Sequence, residues 1–186
     1  KTFKTSDCEI ILHDNDLPSD IECGEIISVD TETTGLSLVR DQLCLIQIGI
    51  SSKKCHMVKF ERNFFEKNNS PKNLVKLMKN DNIKKIFHYA RFDVAMIKRF
   101  FGVYTKNNFC TKIASKLVRT YTDKHGLKDL CKDLLNIDLN KSQQTTDWFS
   151  KKLSENQLKY AANDVIHLFD LKKKLEKMLI REKRLE

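Results

Sequence analysis

The chain reads as an α/β fold: a β-sheet flanked by helices. Three features say so. Strand-like runs come first, over residues 25–31, 42–50 and 53–60. Helical patterns fill the second half, and one short strand-like run, residues 85–87, returns between them. At 186 residues, 40% of them hydrophobic, the sequence suits one domain with a full core, expected to span residues 1–186.

The first run, Glu25 to Thr31, is bounded by turn residues, with Gly35 beyond it. The second, Gln42 to Ile50, is apolar at nearly every position, which suits a strand covered on both faces. Lys53 to Phe60 is the third. Ser70-Pro71 then opens a helix to about Lys79, with Ser70 as cap and Pro71 as the first helical residue. After the strand at Lys85 to Phe87, a helix from Ala90 to Phe101 stops at Gly102, and another runs from a Thr111 cap to about Arg119. Leu127 to Leu135 makes a short helix. Asn136 to Lys152 is polar and poorly periodic and reads as a long connection, of the kind that often carries function. Ser154-Glu155-Asn156-Gln157 is a capping-box pattern, and the helix it starts is expected to continue to about Glu182. On a wheel of about 100° per residue, Leu158, Ala161, Ala162, Val165, Leu168 and Phe169 form its buried stripe.

Lys and Arg outnumber Asp and Glu by 34 to 25, for a net charge of +9, which favours a polyanionic partner without requiring one. The six cysteines show no C-x-x-C pair and no metal-knuckle spacing. Cys44 lies in the apolar run Leu43-Cys44-Leu45-Ile46, where a thiol packs as a small hydrophobe. This usage fits the reducing cytoplasm. No apolar stretch approaches the roughly 18 residues of a membrane span, so no membrane partner is expected.

The chemistry lies in three short motifs. Side chains alternate along a strand, so Asp30 and Glu32, two apart in Val29-Asp30-Thr31-Glu32-Thr33-Thr34-Gly35-Leu36, present two carboxylates on one face. Gathered acids repel one another and lose hydration, so a fold that collects several usually holds divalent cations among them. Asp93 ends His88-Tyr89-Ala90-Arg91-Phe92-Asp93 near a helix start, where the dipole alone would favour a carboxylate. Tyr160 and Asp164, in Tyr160-Ala161-Ala162-Asn163-Asp164, sit one turn apart on the margin of the apolar stripe and face a cleft edge. A core tyrosine with a satisfied hydroxyl is the alternative reading.

In this order, Asp-x-Glu, a distant Asp and Tyr-x-x-x-Asp resemble the DEDDy group of 3′-to-5′ exonucleases in the ribonuclease D superfamily. Longer phrases narrow the resemblance to the short, single-domain nanoRNase C enzymes. They are His88 to Asp93, Phe109-Cys110-Thr111-Lys112-Ile113-Ala114-Ser115-Lys116-Leu117, Arg119-Thr120-Tyr121-Thr122-Asp123-Lys124-His125-Gly126-Leu127-Lys128, and Asp147-Trp148. The likeness covers about residues 26–175. One departure is that many relatives place Arg-Pro-Leu after Asp-Trp, where this chain has Ser150-Lys151-Lys152-Leu153.

The resemblance implies an RNase H-like fold with a mixed central sheet, two divalent cations (Mg²⁺ or Mn²⁺), and release of nucleoside 5′-monophosphates from a 3′ end. Carried over, Asp30, Glu32 and Asp164 would hold one ion, Asp30 would bridge to the second with Asp93, and Tyr160 would orient the attacking water. Two such ions about 3.5–4 Å apart need no protein nucleophile. Leu36 would wedge between the last two bases, against the alternative of an ordinary turn leucine packing on the sheet, and His88 would order the cleft or contact substrate, against that of a buried structural histidine. In the stretch Arg119 to Lys128, Arg119, Tyr121, Lys124, His125 and Lys128 combine cations with an aromatic, as a phosphate-binding loop would; the family phrase implies substrate or subunit contact there, against the alternative of a solvated turn.

The expected substrate is short single-stranded RNA, down to dinucleotides, trimmed without the added helical domains of full-length ribonuclease D. A homo-oligomer is implied as well, as a ring of eight. Two rivals remain at this level: a single-strand DNA exonuclease of the proofreading or repair kind, and a non-catalytic nucleic-acid-binding module.

Overall fold

The computed structural model describes residues 1–140, 143 and 145–185. Among the described residues, seven strands form one sheet: β1 (Thr2–Lys4), β2 (Glu9–Asp14), β3 (Ile26–Thr33), β4 (Leu43–Ser51), β5 (Lys54–Lys59), β6 (Lys84–Phe87) and β7 (Asn108–Cys110). They lie in the order β1-β2-β5-β4-β3-β6-β7. The sheet is mixed as expected, because β2 with β5, β3 with β6, and β6 with β7 run parallel while the other pairs are antiparallel.

The helices are α1 (Lys72–Lys79), α2 (Ala90–Phe101), α3 (Thr111–Val118), α4 (Leu127–Leu130), α5 (Glu155–Ile166) and α6 (Leu168–Arg181), with a π turn at Cys131–Leu135 after α4. None of them is long and apolar enough to cross a membrane.

Alternation on β3 divides the molecule. Ile27 and Val29 pack with Ile46, Ile48 and Val58 against Leu74 and Met78 of α1 and Met96 and Ile97 of α2. The intervening Ser28, Asp30 and Glu32 therefore turn to the opposite face, where α5 lays Leu158, Ala161, Ala162 and Val165 on Leu45 and Met57. Burying each such aliphatic side chain contributes about 1.5–3 kcal/mol. Residues like these on either side of the acids hold the strands in register against carboxylate repulsion.

Several boundaries differ from expectation, each for a local reason. Pro71 sits at the cap position of α1 rather than inside it. Cys110, not Thr111, precedes α3, and the Thr111 hydroxyl instead donates to the Phe87 carbonyl at 3.2 Å. The helix expected over residues 127–135 is a single α turn that widens into the π turn and stops at Asn136 in a left-handed conformation. The long helix after Ser154 has both halves of its capping box, but it breaks at His167. There the partner changes: α5 covers β3–β5, whereas Leu168, Leu171 and Leu175 of α6 join a third cluster with Ile86, Ala114 and Leu130. A straight helix cannot follow both surfaces.

Strands β1, β2 and β7 are additions to the sequence reading. They lie toward the two edges of the sheet and owe their strand character to pairing with distant partners, as Ile10 does with Cys55. Of the connection expected over residues 136–152, Lys141, Ser142 and Gln144 lie outside the described residues. The rest is anchored by buried Leu139 and Trp148, the latter 6.0 Å from the Tyr160 ring. All six cysteines are free thiols, and burial pushes Cys44 up to about 12.

Candidate active site

Strand β3 delivers Asp30 and Glu32 to the face beneath α5, and α5 brings Tyr160 and Asp164 down onto them. Ligand oxygens of Asp30, Glu32 and Asp164 all lie within 4.8 Å of one another. Asp93 reaches the same cavity from the other side of the sheet. Between the two β3 acids, Thr31 points to the α2 layer and donates its hydroxyl to Asp93 Oδ1 at 2.7 Å. One strand thus positions acids from both layers. The cavity, about 520 Å³, is lined by all four acids, Tyr160, His88 and Leu36, within the size range of ligand sites.

Electrostatics follow from this crowding. Burial, then the charges of Asp93, Asp164 and Glu32, raises the Asp30 carboxyl well above its ordinary range. Glu32 is raised well above its own, by burial first and then by Asp164 and Asp93. Burial pushes Asp93 up to about 7, even though Thr31 bonds to it and favours its charged form. Burial also raises the Tyr160 hydroxyl, followed by the charges of Asp164, Glu32 and Asp30 and a side-chain hydrogen bond with Asp164. Acids that inhibit one another's ionisation, on oxygens this close, suit a small divalent cation taking oxygen ligands, so the donor set fits magnesium or manganese.

Gln47 completes the floor. It lies opposite Asp30 on β4, fully buried, with Nε2 at 3.4 Å from Asp30 Oδ2 and 3.5 Å from Glu32 Oε1. Sequence reading passed over it, although it is the polar exception in the otherwise apolar run Leu43 to Ile50. Thr31 was missed too, hidden between the two acids it helps to place.

The cavity's cations are Lys112 and Lys128 among its described lining residues. The Lys112 ammonium sits 4.3 Å from the ring centre of Tyr89, a cation–π contact. Tyr89 has φ 66°, a left-handed conformation that is strained for a bulky residue and characteristic of functional sites. His88 Nδ1 lies 2.9 Å from Thr111 Oγ1. The same hydroxyl reaches the Phe87 carbonyl at 3.2 Å, so Thr111 ties the imidazole to the end of β6.

The stretch from Arg119 to Lys128 divides: Lys128 lines the cavity, whereas Arg119 and His125 are turned away from the phosphate-binding role expected of them. Arg119 is 2% exposed and turned inward: it pairs with Asp133 and donates to the Lys124 carbonyl at 3.0 Å and the Tyr121 hydroxyl at 3.4 Å. His125 is buried against Ser115 Oγ at 2.8 Å. Tyr121 and Lys124 are exposed but lie outside the cavity wall. The cause is simple: a buried guanidinium already bonded to the Asp133 carboxylate and the Lys124 carbonyl no longer offers its donors to phosphate. The chain reaches the cavity just after, at Gly126, Leu127 and Lys128.

Leu36 lines the cavity mouth and is 83% exposed. Its neighbour Gly35 has no space for a side chain, because an added Cβ would stand 2.5 Å from Asp41 Oδ2. That carboxylate is short and accepts the Ser37 N–H at 2.8 Å, so it cannot swing away without cost. Gly35→Ala is expected to lower kcat/KM on the order of tenfold while leaving the Mg²⁺-induced rise in melting temperature intact, as steady-state kinetics and thermal melts would show.

A family model described as 3′-5′ exonuclease matches residues 9–180. Ribonuclease D of Bartonella henselae is 30% identical over 181 residues, 97% of this chain and 42% of its own length. DNA polymerase I of Aquifex aeolicus is 35% identical over 159 residues, 86% of this chain and 25% of its own. The chain therefore spans less than half the length of these curated relatives. Brucella melitensis NrnC superposes with a TM-score of 0.87 at 45% identity when bound to pGG, covering 94% of this chain and 83% of that one. Its form with bound Mg²⁺ gives 0.86 at 44%, covering 95% and 84%. The fold, the ordered acids and the matched span agree: this chain belongs to the 3′-5′ exonuclease family, as an RNase H-like hydrolase similar to ribonuclease D and NrnC.

Proposed function

We propose that the protein is a two-metal 3′-to-5′ exoribonuclease that releases nucleoside 5′-monophosphates from short single-stranded RNA, down to dinucleotides. The observation that carries this reading is the convergence of Asp30, Glu32 and Asp164 within 4.8 Å, with Asp93 and Tyr160 on the same cavity. The pGG bound to NrnC supports the short-RNA substrate, and its Mg²⁺ supports the metal.

Asp30, Glu32 and Asp164 would hold one cation, and Asp30 with Asp93 the other. When bound, Mg²⁺ or Mn²⁺ would lower the pKa of the attacking water and neutralise charge on the departing 3′-oxygen. The protein's own groups do the rest. Tyr160, kept protonated by burial, orients the water rather than taking its proton. Gln47 holds the Asp30 and Glu32 carboxylates through its amide. Leu36 enters between the last two bases, and Lys112 and Lys128 steer phosphate toward an otherwise acidic pocket. His88, held through Nδ1 against the Thr111 hydroxyl, lines the wall beside them. A cytoplasmic homo-oligomer, a ring of eight, completes the proposal. Light scattering on the purified protein would give the subunit number.

The test is a time course on 5′-labelled RNAs from two to about twenty nucleotides, with DNA counterparts, in Mg²⁺ and in Mn²⁺, beside an Asp30→Ala control. Dinucleotides should be consumed fastest and leave only mononucleotides. Accumulated dinucleotides would rule out the short-substrate reading, and faster DNA cleavage would transfer the assignment to the DNA class. Binding without any released mononucleotide would leave only a nucleic-acid-binding module.

A further inference from the structure

The loop between β3 and β4 carries apolar side chains that the core does not hold. Leu36 and Val39 are 83% and 86% exposed and Leu38 is 38% exposed, and none of the three joins a core cluster. A segment without a buried anchor keeps one conformation only where polar ties restrain it. Its base is closed by Thr34 and Gln42, whose backbones and the Thr34 hydroxyl exchange hydrogen bonds at 3.0 and 2.9 Å. Its tip is tied locally by the Thr33 hydroxyl to the Gly35 carbonyl at 2.6 Å and by the Asp41 N–H to the Ser37 carbonyl at 3.0 Å, and the side chains of two residues, Asp41 and Arg99, reach across it. Buried Asp41 accepts the Ser37 N–H at 2.8 Å and the Thr34 hydroxyl at 3.4 Å. Arg99, in the last turn of α2, donates Nη1 to the carbonyls of Leu38 at 2.9 Å and Asp41 at 2.6 Å.

We propose that Arg99 and Asp41 are a positioning pair that sets how deeply Leu36 enters the cavity, and so where the 3′-terminal nucleotide parts from its neighbour. The proposal rests on Leu36 acting as the wedge. Neither Arg99 nor Asp41 lines the cavity, so both act through the loop. Arg99 also shares α2 with Asp93, six residues away and roughly 9 Å along the helix. One rigid helix therefore registers the wedge against the acid cluster. Both carbonyls are met by one nitrogen, Nη1, whose two hydrogens the planar guanidinium holds in fixed directions, whereas an ammonium rotates freely on a flexible stem.

The test is a double-mutant cycle of Leu36→Ala and Arg99→Ala, with Arg99→Lys and Asp41→Asn beside it. Values of kcat and KM are measured on an RNA dinucleotide, with the Mg²⁺-induced melting shift as a second readout. Displacement by about 1 Å can cost on the order of a hundredfold, so each single alanine variant should lose roughly ten- to a hundredfold in kcat/KM. The Mg²⁺ shift should stay unchanged, Arg99→Lys should recover part of the loss, and the double variant should be no worse than the worse single. Losses that multiply in the double variant overturn the proposal, as does a vanished Mg²⁺ shift in Arg99→Ala. Near-normal Arg99→Ala beside impaired Leu36→Ala overturns the pair and leaves the wedge standing. A silent Leu36→Ala removes both. Should Arg99→Ala fail to fold, Asp41→Asn takes its place in the cycle.

Discussion

Asp30→Asn is expected to reduce hydrolysis at least about a thousandfold and, in the same protein, to raise the melting temperature of the metal-free form. The first effect follows from Asp30's proposed place between two cations. Such ions supply several kcal/mol of transition-state stabilisation, and each 1.36 kcal/mol is a factor of about ten. The second follows from linkage. Asp30, Glu32 and Asp93 all have folded-state pKa values raised above their ordinary ones, Asp93 from 3.8 to about 7. The folded protein therefore holds protons on these acids that the unfolded chain releases: the contribution of Asp93 to stability is fully present below about pH 4 and is lost as pH rises through about 7, and Asp30 and Glu32 act with the same sign. Replacing Asp30 by a neutral amide of the same shape removes one of the repelling charges. Thermal melts in chelator at about pH 8 should show a gain of roughly 2–4 °C for each kcal/mol of relieved repulsion, together with a shallower fall of melting temperature with pH. Added Mg²⁺ should stabilise the wild type far more than the variant. A variant less stable than wild type without metal would mean that the acids do not repel one another as their geometry indicates.

Tyr160→Phe is the second large effect, and it separates positioning from proton transfer. The hydroxyl is pushed above its ordinary pKa first by burial, then by Asp164, Glu32 and Asp30, so at neutral pH it is a donor and not a base. Losing one oriented hydrogen bond to the attacking water should lower kcat by roughly ten- to a hundredfold. The phenyl ring still fits against Trp148, and the three clustered carboxylates stay intact. The Mg²⁺ dependence and the KM for a dinucleotide should therefore change little. A pH–rate profile adds the decisive reading. If Tyr160 only orients water, the alkaline limb keeps its shape in the variant, whereas a general base would take a limb of the profile with it. Full activity in Tyr160→Phe would remove the residue from the mechanism.

The site was legible wherever short periods govern. Asp30 and Glu32 share a face because they are two apart on a strand, and Tyr160 and Asp164 share one because they are a helical turn apart. The Ser154 capping box formed as its residues require. The sequence reading failed where local composition resembles function but the surroundings decide. Arg119 beside Tyr121 and Lys124 has the look of a phosphate loop, yet Asp133, fourteen residues on, claims its guanidinium. The helix after Ser154 has an unbroken pattern, yet it is interrupted at His167 where the surface beneath it changes.

By itself, then, the sequence determined the residue types, their order along the chain and the face each presents within its own element, and with these the family. Only the tertiary structure decided which faces meet. Thr31 finds Asp93 across 62 residues, Gln47 lies opposite Asp30 by strand register, and Arg99 reaches back to the Leu36 loop. The physical reason is one of range. Backbone geometry sets neighbours two or four residues apart, while sheet order and layer packing, which bury apolar faces of the whole domain at once, set neighbours far apart in the chain.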